Sequence, residues 1–288
     1  MRTRQLGKGP FLIFAAAVLW SFAGLASKFV PWGGMSIACV RGVIGALTIG
    51  ALSKQWFFLP TKLVVLGALG TVTTSVLFML ANKMTTAANA IVLQYMAPVV
   101  VIILNLLLQK MKPAKLDLVM VSVTLLGIAF FFLDHLGSGK LAGDLLAILS
   151  SVTFAMVFYV NRLPGANATQ ASYLGCMLHF LLLPALLDDP NFSLADPKVN
   201  LVVLLMGVLQ MGLAYVLFAK GIASTPAVSA SIIAMIEPVL NPLWVFLFLG
   251  EMPGRLALVG AAIVLIATTS YNIITSKQLE EKGHTAEA

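Results

Sequence analysis

The sequence predicts an all-α integral membrane protein: ten transmembrane helices arranged as two inverted five-helix repeats. Three observations carry this expectation. The 288 residues are 60% hydrophobic and only 10% charged, with a mean hydropathy of +0.99. Soluble domains usually carry about 25% charged residues. The apolar residues gather in runs of about 20, the length that crosses a bilayer as a helix. The chain also repeats itself in a gapless register at an offset of 140 residues.

The runs span 10–29, 34–53, 62–82, 86–108, 116–134, 141–162, 170–187, 199–220, 226–249 and 255–275. Residues 170–187 form the shortest. Short connections predict antiparallel hairpins. The first run follows Arg2, Arg4 and Lys8 without a small-residue cleavage site, so it reads as a retained span and not a signal peptide. Basic residues in loops set orientation. Arg2, Arg4, Lys8, Lys54, Lys62, Lys110, Lys112, Lys115, Arg162, Lys220, Lys277 and Lys282 fall on one side, and Lys28, Lys83, Lys140, Lys198 and Arg255 on the other. Both termini are therefore expected in the cytoplasm. The acidic loop 188–196 falls outside, and residues 276–288 read as a disordered cytoplasmic tail.

The repeat sets 66–113 against 206–253. Gly67 meets Gly207, Val76-Leu77-Phe78 meets Val216-Leu217-Phe218, and Thr85 meets Thr225. Pro98-Val99 meets Pro238-Val239, and Pro113 meets Pro253. The expected domains are 1–137 and 138–275. Each holds five runs, an odd number, so the second copy must enter the membrane from the opposite face. Inverted repeats of this kind are common in secondary transporters, with the substrate site near midplane between the copies.

Pro98 and Pro238 fall near the middle of the fourth and ninth runs. Proline removes a backbone donor and clashes with the carbonyl four residues back. At that depth, freed backbone groups are tolerated only within protein or beside a wet cavity. Glu237 stands next to Pro238, and an ionisable residue there should also face the interior. Both prolines are thus expected helix bends on a cavity wall. Glu237 is a candidate for proton coupling, for binding a substrate ammonium, or for bracing the bend.

Helical spacing places Ala230, Ala234, Glu237, Asn241 and Trp244 on one face, and Ala90, Gln94, Ala97, Val101 and Asn105 on another. The candidate substrate-binding set is Trp20, Ser75, Met79, Gln94, Tyr159, Gln210, Tyr215, Glu237 and Asn241. Arg41, well inside the second run, reads as structural, pairing with backbone carbonyls, with contact to a carboxylate as the alternative. Gly42 and Gly45, like Gly67 and Gly70, read as close-packing positions. Cys39 and Cys176 read as small core residues. His135, His179 and His284 are scattered, and no metal or cofactor is expected. No phosphate loop or nucleophile elbow appears, so enzyme chemistry has little support. Net charge is +7, but the basic residues form no continuous patch, so nucleic acid is not an expected partner. The expected partners are a small-molecule substrate and the lipid bilayer, with the chain a monomer or weak homodimer.

The chain resembles the ten-helix EamA-type transporters of the drug/metabolite transporter superfamily. The residues carrying the likeness are VLWSFAGLASKFV at 18–30, Arg41, TTAANAIVLQYMAPV at 85–99 and STPAVSASIIAMIEPVLNPLWVFLFLGE at 224–251. Lys110-Met111 stands where the family's first half usually has glycine-glutamate. The resemblance implies export or exchange of small metabolites, often amino acids, across a bacterial inner membrane. A cavity with few fixed charges suits an amphipathic or aromatic amino acid carried by alternating access. A cationic drug-like molecule is the alternative, and an intramembrane enzyme a more distant one.

Overall fold

The computed structural model describes residues 8–85, 87–133, 141–250 and 255–285. The expected boundary at 137/138, Glu251 and Pro253 lie outside these residues. The first part runs through α1 (Gly9–Trp20), α2 (Phe22–Lys28), α3 (Gly34–Ser53), α4 (Lys62–Met84), α5 (Ala87–Gln94), α6 (Ala97–Leu108) and α7 (Lys115–Leu133). The second runs through α8 (Leu141–Val160), α9 (Ala168–Leu178), α10 (Pro184–Leu187), α11 (Pro197–Leu205), α12 (Ala214–Ile222), α13 (Ala227–Ala234), α14 (Glu237–Leu249) and α15 (Arg255–Thr285). A π-helical segment, Met206–Leu213, joins α11 to α12. Among the described residues, six helical stretches are long and apolar enough to cross a membrane: 9–28, 34–53, 62–84, 141–160, 197–222 and 227–248.

Local chemistry sets the helix starts. Thr61 accepts a hydrogen bond from the Val64 N–H, Asn167 from Gln170, and Asp196 from Lys198. Each satisfies a donor left open at a helix N-terminus. Gly250, at φ 69°, ends α14 in the left-handed conformation. Two expectations are corrected. The run 170–187 is not one helix: α9 gives way to a 3-10 turn at His179–Leu182, and Pro184 begins the short α10. Pro184 cannot donate a backbone hydrogen bond to the preceding turn. The tail expected to be disordered from 276 continues α15 as far as Thr285. Its Lys, Gln, Leu and Glu residues are good helix formers.

The fourth and ninth runs are also interrupted, at Tyr95-Met96 and Met235-Ile236. Three hydrogen bonds at the two breaks correspond at an offset of 140. Met96 donates to Leu93, and Val99 and Val100 donate to Met96; Ile236 donates to Ile233, and Val239 and Leu240 donate to Ile236. Pro98 and Pro238 each occupy the second position of the helix that follows. Neither can bond the carbonyl four residues back, that of Gln94 or Ala234.

The two parts pack reciprocally. The helix α1 lies on α12 while α8 lies on α4, and α3 lies on the π segment while α9 lies on α4. The pair α7 and α15 contact each other. The same exchange holds at single residues. A Cβ on Gly9 would fall 2.6 Å from Oγ1 of Thr225, and one on Gly143 would fall 2.7 Å from the backbone N of Thr85. These contacts bury a continuous core, while Leu47, Leu52, Leu107, Leu201 and Phe248 stay exposed as they would facing lipid.

Candidate functional site

A small buried cavity of about 40 Å³ lies where the two parts meet. Its lining comes from α1 (Trp20), α3 (Arg41), α4 (Thr74, Ser75, Phe78), α5 (Gln94), α8 (Phe154), the π segment (Gln210, Met211), α12 (Tyr215) and α14 (Glu237). No lining residue is more than 7% exposed. One water needs roughly 10–15 Å³ of such space, so the cavity has room for a few waters.

The helix interruptions bring Glu237 to this place. It is the first residue of α14, immediately past the break, and its carboxylate accepts a hydrogen bond from the Tyr95 hydroxyl. Tyr95 sits in the equivalent break between α5 and α6. Each break thus contributes one member of the pair. The helix N-terminus also favours negative charge at Glu237. Tyr95 in turn meets the edge of Phe154, with ring centroids 5.9 Å apart. Trp20 packs among Phe154, Tyr215 and Phe218 at 5.3–5.8 Å.

The second charge is Arg41. It donates from Nη1 to Oε1 of Gln210 at 2.7 Å and from Nη2 to Oγ of Ser75 at 2.8 Å. The guanidinium, 2% exposed, ties α3 and α4 to the π segment. The partners are side chains, where the sequence suggested backbone carbonyls. Close approach makes the contact reachable: Gly207 packs on Ile44, and Gly212 on Thr48, so that an added Cβ would come within 2.4 Å of either. A π segment widens the helix by one residue per turn and is frequent at functional sites.

Of the candidate residues, Trp20, Ser75, Gln94, Gln210, Tyr215 and Glu237 line the cavity. Met79, Tyr159 and Asn241 are buried but do not line it. Asn241 is packed on Gly24 of α2, and Trp244 donates to Oγ of Ser21 while stacking on Phe22 at 4.6 Å. Spacing was projected through the 235–236 break as though the helix were continuous, and beyond the break the face turns toward α1 and α2. Sequence reasoning missed Thr74, Phe78, Phe154 and Met211 on the wall, and Tyr95 behind it as the partner of Glu237. Only Tyr95, a polar aromatic three residues before a midplane proline, carried a signal that could have found it.

The EamA-like transporter family matches this chain twice, over residues 7–133 and 141–273. This chain belongs to the EamA-like transporter family. Its two matched stretches coincide with the two reciprocally packed parts, and Arg41 and Glu237 belong to different ones. An inner membrane transporter of Salmonella typhimurium, YicL, described as uncharacterised, is 23% identical over 290 residues, covering 91% of this chain and 96% of the relative. A solved crystal structure matches with a TM-score of 0.74 at 17% identity, covering 94% of this EamA-like chain and 98% of the other. That likeness shows the fold.

A different polar cluster lies at one end of the bundle. The Tyr271 hydroxyl donates to Oδ1 of Asp117 at 2.5 Å and lies 3.0 Å from Oγ of Ser229. At other loops, Asp189 accepts from the Gly33 N–H at 2.6 Å. Partial burial opposes its ionisation. Hydrogen bonds from Ser36 and from the Gly33 and Asn191 N–H groups, with the nearby Lys83 charge, nonetheless hold the carboxyl below its usual range.

Proposed function

We propose that this EamA-like protein is a secondary transporter of small organic metabolites in a bacterial inner membrane, exporting or exchanging them by alternating access. Its ten transmembrane helices form two inverted five-helix repeats, with both termini in the cytoplasm. The reciprocal packing of the two matched parts and their equivalent helix breaks support this reading. The observation that carries it is the buried cavity between the parts. There one basic side chain, Arg41, and one acidic side chain, Glu237, have neutral hydrogen-bonding partners: Gln210 and Ser75 for Arg41, Tyr95 for Glu237.

Buried charges at such depth are expensive, and in membrane proteins they mark substrate or ion pathways. A site offering one basic and one acidic side chain, walled by Trp20, Phe78, Phe154 and Tyr215, suits an amphipathic or aromatic amino acid. Arg41 on the wall disfavours a purely cationic drug. Ligand sites usually enclose about 300–1,000 Å³, far above this cavity, so the protein must open to load. Purified protein in liposomes, given a panel of labelled amino acids, amines and organic acids, tests the reading. Saturable, protein-dependent uptake of an amphipathic amino acid is expected. Uptake no greater than in empty liposomes across the whole panel would remove it.

A further inference from the structure

We propose that the pocket where α6, α7, α13 and α15 meet is a binding site for an anionic phospholipid, whose phosphate pairs with Lys112. The site lies apart from the central cavity. It requires only that the chain spans a membrane, and so goes beyond the transporter reading.

This pocket encloses about 380 Å³, against about 40 Å³ for the central cavity. That volume lies within the usual range of ligand sites. Its floor is buried and formed by Val228, Ser229 and Tyr271. Its mouth is exposed and formed by Met111, Lys112, Ala114, Pro226 and Gln278. Ile102 and Leu116 add half-buried apolar wall. An apolar lining with a charged mouth matches a molecule that is apolar along its length and charged at one end.

The sign of that charge follows from what is already paired. Asp117 lines the pocket, but Oδ1 accepts from the Tyr271 hydroxyl and Oδ2 from the Ala114 N–H at 3.2 Å. Lys112 is the charge that remains for a ligand, and Lys110 and Lys115 flank it along the chain. All three lysines are exposed. The depth also fits. Before this segment α6 ends in exposed Leu106, Leu107 and Leu108, and after it α7 exposes Leu118 and Val119. Such side chains suit acyl chains, which sets the basic segment between them at headgroup level. Basic pockets between membrane helices at this level bind anionic lipid headgroups. The repeat-related segment carries Gly250, Met252 and Arg255 in place of the three lysines, so the chemistry belongs to one end of the molecule.

A lipid seated here touches both matched parts, through Lys112 and Leu116 of the first and Ser229 and Tyr271 of the second. Its binding therefore stabilises the packing of one part on the other at this end.

The test uses the purified full chain in a neutral detergent, with bound lipid measured by mass spectrometry of the intact complex. Dioleoylphosphatidylglycerol is the anionic probe, dioleoylphosphatidylcholine the zwitterionic one, and glycerol phosphate the phosphate without acyl chains. The anionic lipid should bind about tenfold more tightly than the zwitterionic one. Lys112→Gln should weaken its binding about fivefold, the worth of one lysine at a charged membrane surface. Lys62→Gln removes another exposed lysine and should change nothing. Ala114→Phe keeps every charge, narrows the mouth and should weaken binding at least as much as Lys112→Gln. Equal affinity for the two lipids overturns the site. So do equal losses from Lys112→Gln and Lys62→Gln, which mark diffuse charge attraction, and unchanged binding to Ala114→Phe, which marks an empty pocket. Displacement of the lipid by an equal concentration of glycerol phosphate would make the ligand a soluble phosphate compound and overturn the lipid assignment. None of these outcomes bears on liposome uptake, which tests the transporter reading separately.

Discussion

At the scale of single residues, the Tyr95–Glu237 contact draws one side chain from each helix break to the same point. Tyr95→Phe removes the donor and leaves a buried carboxyl oxygen unsatisfied. Such groups cost about 1–3 kcal/mol, so we expect a lower unfolding temperature in detergent as well as reduced transport. Glu237→Gln keeps the shape and separates three roles. Loss of gradient-driven transport with retained exchange marks proton coupling. Loss of both marks ammonium binding. Wild-type behaviour in both assays would leave only a brace for the bend. Sequence alone pointed to Glu237, because a carboxyl beside a midplane proline has few structural uses. The partners of Arg41 were not legible, because Gln210 lies 169 residues away and no local pattern reveals it.

At the scale of elements, the proline positions were legible, but their consequence was underread. A bend was expected, and the structure instead breaks each helix two residues before the proline and restarts it at Ala97 and Glu237. Pro238→Ala should restore a backbone donor and let the helix run on toward Ala234, turning Glu237 off the cavity. Surface expression should persist while transport falls at least tenfold; unchanged transport would show that the break does not need the proline. The glycines at helix crossings make a second case. Gly143→Ala pushes a methyl against the backbone of Met84 and Thr85, which cannot swing aside as a side chain can. Overpacking of this kind costs about 1–3 kcal/mol. Gly70→Ala, whose nearest neighbour is Cγ2 of Val157 at 3.3 Å, should cost visibly less in the same melting experiment. The π segment was not legible at all. Its sequence, MGVLQMGL, has ordinary helical composition, and the segment packs on α3.

At the scale of the whole molecule, the twofold repetition was readable because two prolines, a glycine and a threonine recur in one register, and equivalent helix breaks then appear in the fold. Orientation rests on charge asymmetry in the loops, and single cysteines test it. A cysteine at Asn191 should react with an impermeant maleimide in intact cells, and one at Lys112 only after permeabilisation; the reverse pattern would invert the topology. The size of the cavity has a further consequence, in the language of water activity. Under the proposed alternating access, a closed form with room for a few waters and an open form that admits solvent would differ in hydration, so the cycle would do work against osmotic pressure. Polymers too large to enter, present at equal osmolality on both sides of the vesicle, should pull water from the open form and raise the apparent KM. Small osmolytes that penetrate the opening should not. Equal KM values with both at matched viscosity would mean that the two forms carry the same water. Cells in concentrated media would otherwise find this carrier slower, with no change in its substrate or its gradient.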